Sequence, residues 1–125
     1  MKTDNKVALV TGSGSGIGAA TAILLSQNNI NVGINYSSNQ QGANSTAQIC
    51  ESSGVETLVV QADVASQSEC DSMVEQIIEK WGRLDYLVNN AGISVFAGGT
   101  DLDTLTDEDF LSLYQVNLVG AFHMV

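Results

Sequence analysis

Residues 7–18 read Val7-Ala8-Leu9-Val10-Thr11-Gly12-Ser13-Gly14-Ser15-Gly16-Ile17-Gly18. An apolar run that breaks into glycines and then opens a helical pattern is how an α/β fold builds a phosphate site. Glycine permits the tight turn and the close backbone approach, and the helix N-terminus behind it offers free N–H groups and a positive dipole end. This stretch therefore predicts a dinucleotide site behind the first strand. Gly14-x-Gly16-x-x-Ala19 fits the relaxed form of the general dinucleotide spacing. The strand ends near Thr11, however, which makes Gly12 the turn glycine and favours a longer spacing, Gly12-x-x-x-Gly16-x-Gly18.

Working outward, the pattern alternates strands and helices. Strand 1 covers 7–11, and a helix over 16–28 carries Ile17, Ala20, Leu24 and Leu25 on one face. Strand 2 covers 30–36. A polar helix over 40–53 follows, closed by Gly54 at a position suited to a left-handed cap. Strand 3 covers 56–61 and runs into Ala62-Asp63-Val64. The next helix opens with a capping box, Ser66-x-x-Glu69, and buries Met73, Val74, Ile77, Ile78 and Trp81. Strand 4 covers 84–89, and a loop over 90–104 leads to a last helix capped by Thr106, with Asp107, Glu108 and Asp109 at its positive end. Strands separated by helices imply an α/β fold with a parallel sheet and right-handed crossovers.

Composition narrows the function. With 44% hydrophobic residues the 125-residue chain is globular, and no run of about 18 apolar residues suggests a membrane span. The formal charge of −10 argues against nucleic acid and against an anionic membrane surface. That charge is uneven: residues 1–50 hold Lys2 and Lys6 against Asp4, while residues 51–125 hold thirteen acidic residues against Lys80 and Arg83. The segment expected to hold phosphates is thus free of repelling carboxylates. Cys50 and Cys70 fall in different helices without metal-type spacing and read as reduced thiols, and no metal cluster is evident. The N-terminus lacks a signal-peptide pattern, so a cytoplasmic location is expected.

Four motifs in order, Thr11-Gly12-x-x-x-Gly16-Ile17-Gly18, Asp63-Val64, Asn89-Asn90-Ala91-Gly92 and Asn117, resemble the short-chain dehydrogenase/reductase family, in particular members like the 3-oxoacyl-carrier-protein reductases. The resemblance implies a Rossmann-like doubly wound sheet, of which the first four strands are present in the order 3-2-1-4. It implies hydride transfer between a nicotinamide cofactor and a carbonyl or alcohol substrate. Backbone from Gly12, Ser13, Gly14, Ser15, Gly16, Ile17 and Gly18 would cradle the pyrophosphate. Asp63 and Val64 would receive the adenine, and Asn90, Ala91 and Gly92 would meet the ribose and nicotinamide, with Asn89 as scaffold. Ser94 is either a substrate-side residue or an ordinary loop serine. Asn117 matches the family's catalytic asparagine, which bends its helix and holds a water in a proton relay; an ordinary helix asparagine is the other reading. Tyr114 is not the family's catalytic tyrosine, because position 118 is leucine and not lysine. His123 reads as a plain helix residue.

Cofactor choice rests on the end of strand 2, where NAD-binding sites usually carry an acidic residue. Here stand Tyr36, Ser37, Ser38 and Asn39. This favours NADP, with NAD left open because the basic residue of NADP-dependent relatives is also missing. The last helix has no stop signal before Val125, and strand 4 would lie at an open edge. Residues 1–125 are therefore expected to be the N-terminal part of one dinucleotide-binding domain, interrupted within the helix starting near Thr106. The family's catalytic serine, tyrosine and lysine would then lie outside this stretch, which alone would be inactive. The alternative is a non-catalytic half-domain that needs a partner. Relatives of this kind imply a homo-oligomer, a dimer or tetramer.

Overall fold

A computed structural model of the chain describes residues 3–94 and 102–125. The middle of the loop expected over 90–104 lies outside them. Strands β1 (Val7–Val10), β2 (Asn31–Tyr36), β3 (Thr57–Gln61) and β4 (Tyr86–Val88) form one sheet in the order β3-β2-β1-β4. Every pairing is parallel, with Val10 beside both Ile34 and Val88. β1 and β4 therefore finish level, and β2 and β3 run two residues further, to Tyr36 and Gln61. The chain winds outward from β1 to β3 and then crosses back to place β4 on the other side of β1. This is the switch point at which ligands bind in such sheets.

Helices α1 (Gly16–Ser26) and α2 (Gln40–Glu51) cover one face of the sheet, and α3 (Gln67–Trp81) covers the other. Alternation along each strand feeds two cores. Val10, Val32 and Ile34 pack with Ala22, Ala43, Ala47 and Cys50 on the first face. On the second, Val7, Leu9 and Val60 pack with Met73, Ile77, Trp81 and Met124. Met124 belongs to a final helical rod built from α4 (Asp107–Tyr114), a π turn (Gln115–Val119) and α5 (Gly120–Met124). A single turn of 3₁₀ helix at Leu102–Thr104 precedes it. No helix among the described residues is long and apolar enough to cross a membrane.

Three local expectations change. The buried stripe of α1 is Gly18, Ala22 and Ser26, whereas Ile17 and Leu24 are 80% and 62% exposed. Residue size decides here: three small side chains at i, i+4, i+8 let the helix lie close against the sheet, with Ile23 and Leu25 partly buried at its flanks and Ile17 and Leu24 turned outward. In α3, Ile78 is exposed while Met73, Ile77 and Trp81 are buried. The α3 capping box is half formed: the Ser66 hydroxyl accepts from Glu69 N–H, but the Glu69 carboxylate accepts from Asp63 N–H at 3.1 Å. The reciprocal box occurs instead at α4, between Thr106 and Asp109.

Candidate functional site

The glycine turn is fixed by what surrounds it. Gly12 has φ +62°, and a Cβ there would come 2.8 Å from Ala91 Cα, so both the backbone conformation and the space demand glycine. At Gly18 a Cβ would lie 2.4 Å from the Gly12 carbonyl oxygen and 2.5 Å from Asn90 Nδ2. This lets the first turn of α1 sit directly on the loop. No acidic residue occupies that first turn, and the Ser15 hydroxyl makes no capping bond, so the helix N-terminus is left for an anion. Ser15, Gly16 and Ile17 are exposed at its mouth, beside the partly buried Gly14.

Ser13 departs from the expected cradle. It is fully buried, its hydroxyl donates to the Val10 carbonyl at 2.8 Å, and its N–H goes to the Asn35 carbonyl at 2.9 Å. With its donors spent inside the protein, Ser13 shapes the turn and does not face a cofactor.

Asn35, which the sequence reading missed, does the larger part of that shaping. Its Oδ1 accepts from Gly12 N–H at 3.0 Å. Its Nδ2 donates to the Ala62 carbonyl at 3.1 Å and the Val60 carbonyl at 3.3 Å. One buried amide thereby ties the glycine turn to the end of β3. The only sequence signal for it is a polar residue inside a strand whose neighbours are apolar.

On the other side, the Thr11 hydroxyl accepts from the N–H groups of Asn90 (3.0 Å) and Ala91 (2.9 Å). Asn90 Nδ2 donates to the Gly12 carbonyl at 3.0 Å. The amide that ties neighbouring strands is thus that of Asn90, while the Asn89 side chain is exposed. Asn90 also borders the cavity, so the expected division of labour between the two asparagines does not hold.

These ties leave a crevice over the carboxyl ends of the strands, in two adjoining lobes. One, of 220 Å³, is lined by Gly12, Asn35, Ser37, Ala62, Asp63, Val64, Ala91, Gly92, Ile93 and Val116. The other, of 250 Å³, is lined by Gly12, Gly14, Ser15, Tyr36, Ser37, Ser38, Asn39, Asn90, Ala91 and Gly92. Asp63 is the one carboxylate among these residues. Its Oδ1 also accepts from Ala65 N–H at 2.9 Å, closing an Asx turn that holds the segment behind β3. Asn39 caps α2 by accepting from Gly42 N–H, and α2 has no acidic residue in its first turn. Cys70 lies beneath the Asp63–Val64 segment. Burial pushes its thiol up, and the nearby carboxylates of Asp71, Asp63 and Glu69 add to the effect. It is a packing residue and not a nucleophile. Both cysteines are buried free thiols, and no metal-ligating cluster occurs among the described residues.

Asn117 stands in the middle of the π turn. Its Oδ1 accepts from Ile93 N–H at 2.8 Å and its Nδ2 donates to the Ile93 carbonyl at 2.9 Å. The helix is therefore locally widened where its side chain clasps the backbone beyond β4. Insertions of this kind concentrate at functional sites. Ser94 is exposed and lies outside the residues that line the crevice. His123 is more than a plain helix residue: its Nδ1 lies 2.7 Å from the Val64 carbonyl.

Comparison with known proteins agrees with this geometry. The chain is 37% identical over 120 residues to an uncharacterized oxidoreductase of Methylorubrum extorquens, covering 96% of this chain and 47% of that protein. It is 33% identical over 121 residues to a 3-oxoacyl-[acyl-carrier-protein] reductase of Staphylococcus epidermidis, covering 97% and 48%. A crystal structure of a protein assigned to the short-chain dehydrogenases/reductases of Burkholderia xenovorans superposes with a TM-score of 0.89 at 33% identity, over 98% of this chain and 51% of that one. The chain thus spans about half the length of these relatives. The family model for short chain dehydrogenases matches residues 6–125, and the chain belongs to that family.

Proposed function

We propose that this chain is the cofactor-holding part of an NADP-dependent oxidoreductase that moves hydride between a nicotinamide and a carbonyl or alcohol carbon. The observation that carries the reading is the crevice at the switch point. Its floor is the Gly12–Gly18 turn, which at Gly12 and Gly18 packs too closely against Ala91 and Asn90 to admit a Cβ, and it opens onto an uncapped helix N-terminus. Gly12 and Gly14 to Gly18 would hold the pyrophosphate. Asp63 would accept from the adenine amino group, with Val64 N–H donating to the ring. Asn90, Ala91 and Gly92 would border the ribose and nicotinamide. Asn117 would hold a relay water through its own anchored position beside Ile93.

NADP is favoured over NAD by the second lobe. Tyr36, Ser37 and Ser38 line it without a carboxylate, and the N-terminus of α2 stands next to them with no acid in its first turn. A 2′-phosphate would meet hydroxyls and a helix dipole there, not a repelling charge. When bound, the nicotinamide supplies or accepts the hydride. The serine, tyrosine and lysine of the family's acid–base chemistry are proposed to lie outside these 125 residues. A cytoplasmic homo-oligomer acting on a small molecule, with no nucleic acid or membrane partner, completes the reading.

The test is carbonyl-dependent oxidation of the reduced nucleotide by residues 1–125 joined to the segment proposed to carry the serine, tyrosine and lysine, with NADPH and NADH compared. The expected result is turnover with NADPH favoured by at least about tenfold, the discrimination worth roughly one charge-assisted contact. Equal use of NADH, or a preference for it, would refute the NADP assignment. Nucleotide binding without any turnover would favour the non-catalytic half-domain.

A further inference from the structure

The segment from Asp63 to Ser66 belongs to no strand or helix, and its internal bonds set its shape without setting its tilt over the sheet. Those bonds are the Asx turn onto Ala65 N–H and a Ser66 N–H bond to the Asp63 carbonyl at 2.9 Å. External hold comes from α3, through the Glu69 carboxylate on Asp63 N–H and the Cys70 thiol on the Val64 carbonyl at 3.5 Å, and from the final helical rod. His123 Nδ1 lies 2.7 Å from the Val64 carbonyl, and Gln115 Nε2 donates to the Ala65 carbonyl at 3.0 Å. A carbonyl only accepts, so His123 carries its proton on Nδ1. Between the two, Gly120 is buried against the same segment: a Cβ there would lie 2.7 Å from Val64 Cγ2. The His123 backbone is itself tied down, its carbonyl accepting from Gln67 Nε2 at 3.3 Å.

We propose that His123, with Gln115, is a positioning residue for the adenine end of the cofactor. This rests on the assignment of Asp63 and Val64 to the adenine. The peptide planes on either side of Val64 N–H are both fixed, one through Asp63 N–H on Glu69 and the other through the Val64 carbonyl on His123. The plane between them carries Val64 N–H together with the Asp63 carbonyl, which Ser66 N–H holds within the turn, so the grips at Glu69 and His123 set how that turn is oriented over the sheet. The same rod clasps Ile93 through Asn117, and both Val64 and Ile93 line one lobe of the crevice. One helix thus sets the distance between the two ends of the site, and its π turn carries a grip on each of them, Gln115 on Ala65 and Asn117 on Ile93.

The experiment measures binding of two half-ligands to the full chain: ADP, common to NAD and NADP, and nicotinamide mononucleotide. In His123→Leu, ADP binding should weaken by roughly five- to tenfold, the worth of about one lost hydrogen bond, with mononucleotide binding unchanged. His123→Asn places an amide nitrogen where Nδ1 stands and should restore ADP binding to within about twofold of the wild type. If His123→Leu does not fold, Gln115→Met removes the neighbouring grip at similar volume and should show the same selective loss. Unchanged ADP binding, equal weakening of both half-ligands, or failure of His123→Asn to rescue would each overturn the proposal. Failure of the wild-type protein to bind ADP would instead refute the adenine assignment beneath it.

Discussion

Replacing Asn35 by alanine strips a partner from the Gly12 N–H and from the carbonyls of Val60 and Ala62 in one step. Each buried group left without a partner costs roughly 1–3 kcal/mol. Asn35→Ala should therefore lower stability by a few kcal/mol in urea unfolding and weaken nucleotide binding together. An unchanged denaturation midpoint would show that the turn holds itself. Asn35 escaped the sequence reading for a physical reason. A strand asparagine has no periodic signature, and its value here comes from partners 23 and 27 positions away in the chain. Gly12 and Gly18 were legible through their spacing behind an apolar strand, although Ala91 and Asn90, which help exclude a Cβ there, are far away in the chain. Asn89 and Asn90 show the limit of motif reading. Two identical neighbours carry no information about which one turns inward, and the bond from Asn90 N–H to the Thr11 hydroxyl beyond β4 is what brings the Asn90 amide to Gly12.

Among the elements, β1 and β4 are joined at their starts by a small ionic clasp. Val7 N–H donates to Asp85 Oδ2 at 2.8 Å, Asp85 N–H donates to the Val7 carbonyl at 2.9 Å, and Arg83 grips the same carboxylate with two nitrogens. The Arg83 guanidinium first, and then the Val7 N–H, hold the Asp85 carboxyl below its ordinary value. A carboxyl lowered in the folded state stabilises while ionised. That contribution is complete above the ordinary carboxylate range and is lost as pH falls through the lowered value. Asp85→Asn should thus reduce stability at neutral pH and flatten the fall in stability on the acid side, read from thermal unfolding across pH. Parallel pH curves for the two proteins would contradict the role given to this carboxylate. Caps show the same split between legible and hidden. Thr106 was readable because its partner Asp109 is three residues away, whereas Glu69 has the right spacing for Ser66 yet serves Asp63, a choice set by the segment behind β3. Nor does helical periodicity show which face of α1 is buried, since Gly18, Ala22 and Ser26 are selected by size.

For the molecule as a whole, the order β3-β2-β1-β4 was legible because alternating strands and helices with right-handed crossovers leave few other arrangements. Where the strands end was legible too, and it places Gly12, Tyr36, Asp63 and Asn90 around one crevice. Less legible was the final rod. Its apolar period runs through Phe110, Tyr114, Leu118 and Phe122, yet these are exposed; Met124 joins the core, and Gly120 and His123 meet the segment behind β3. The extra residue of the π turn shifts the face by part of a turn, which no single period describes. The site that results depends on turn, strand ends and rod together. Calorimetric titration of the full chain with NADPH, and then with NADH, tests it most directly. Saturable binding at one site per chain, tighter for NADPH, is the result this account predicts. A folded protein that binds neither nucleotide would contradict it.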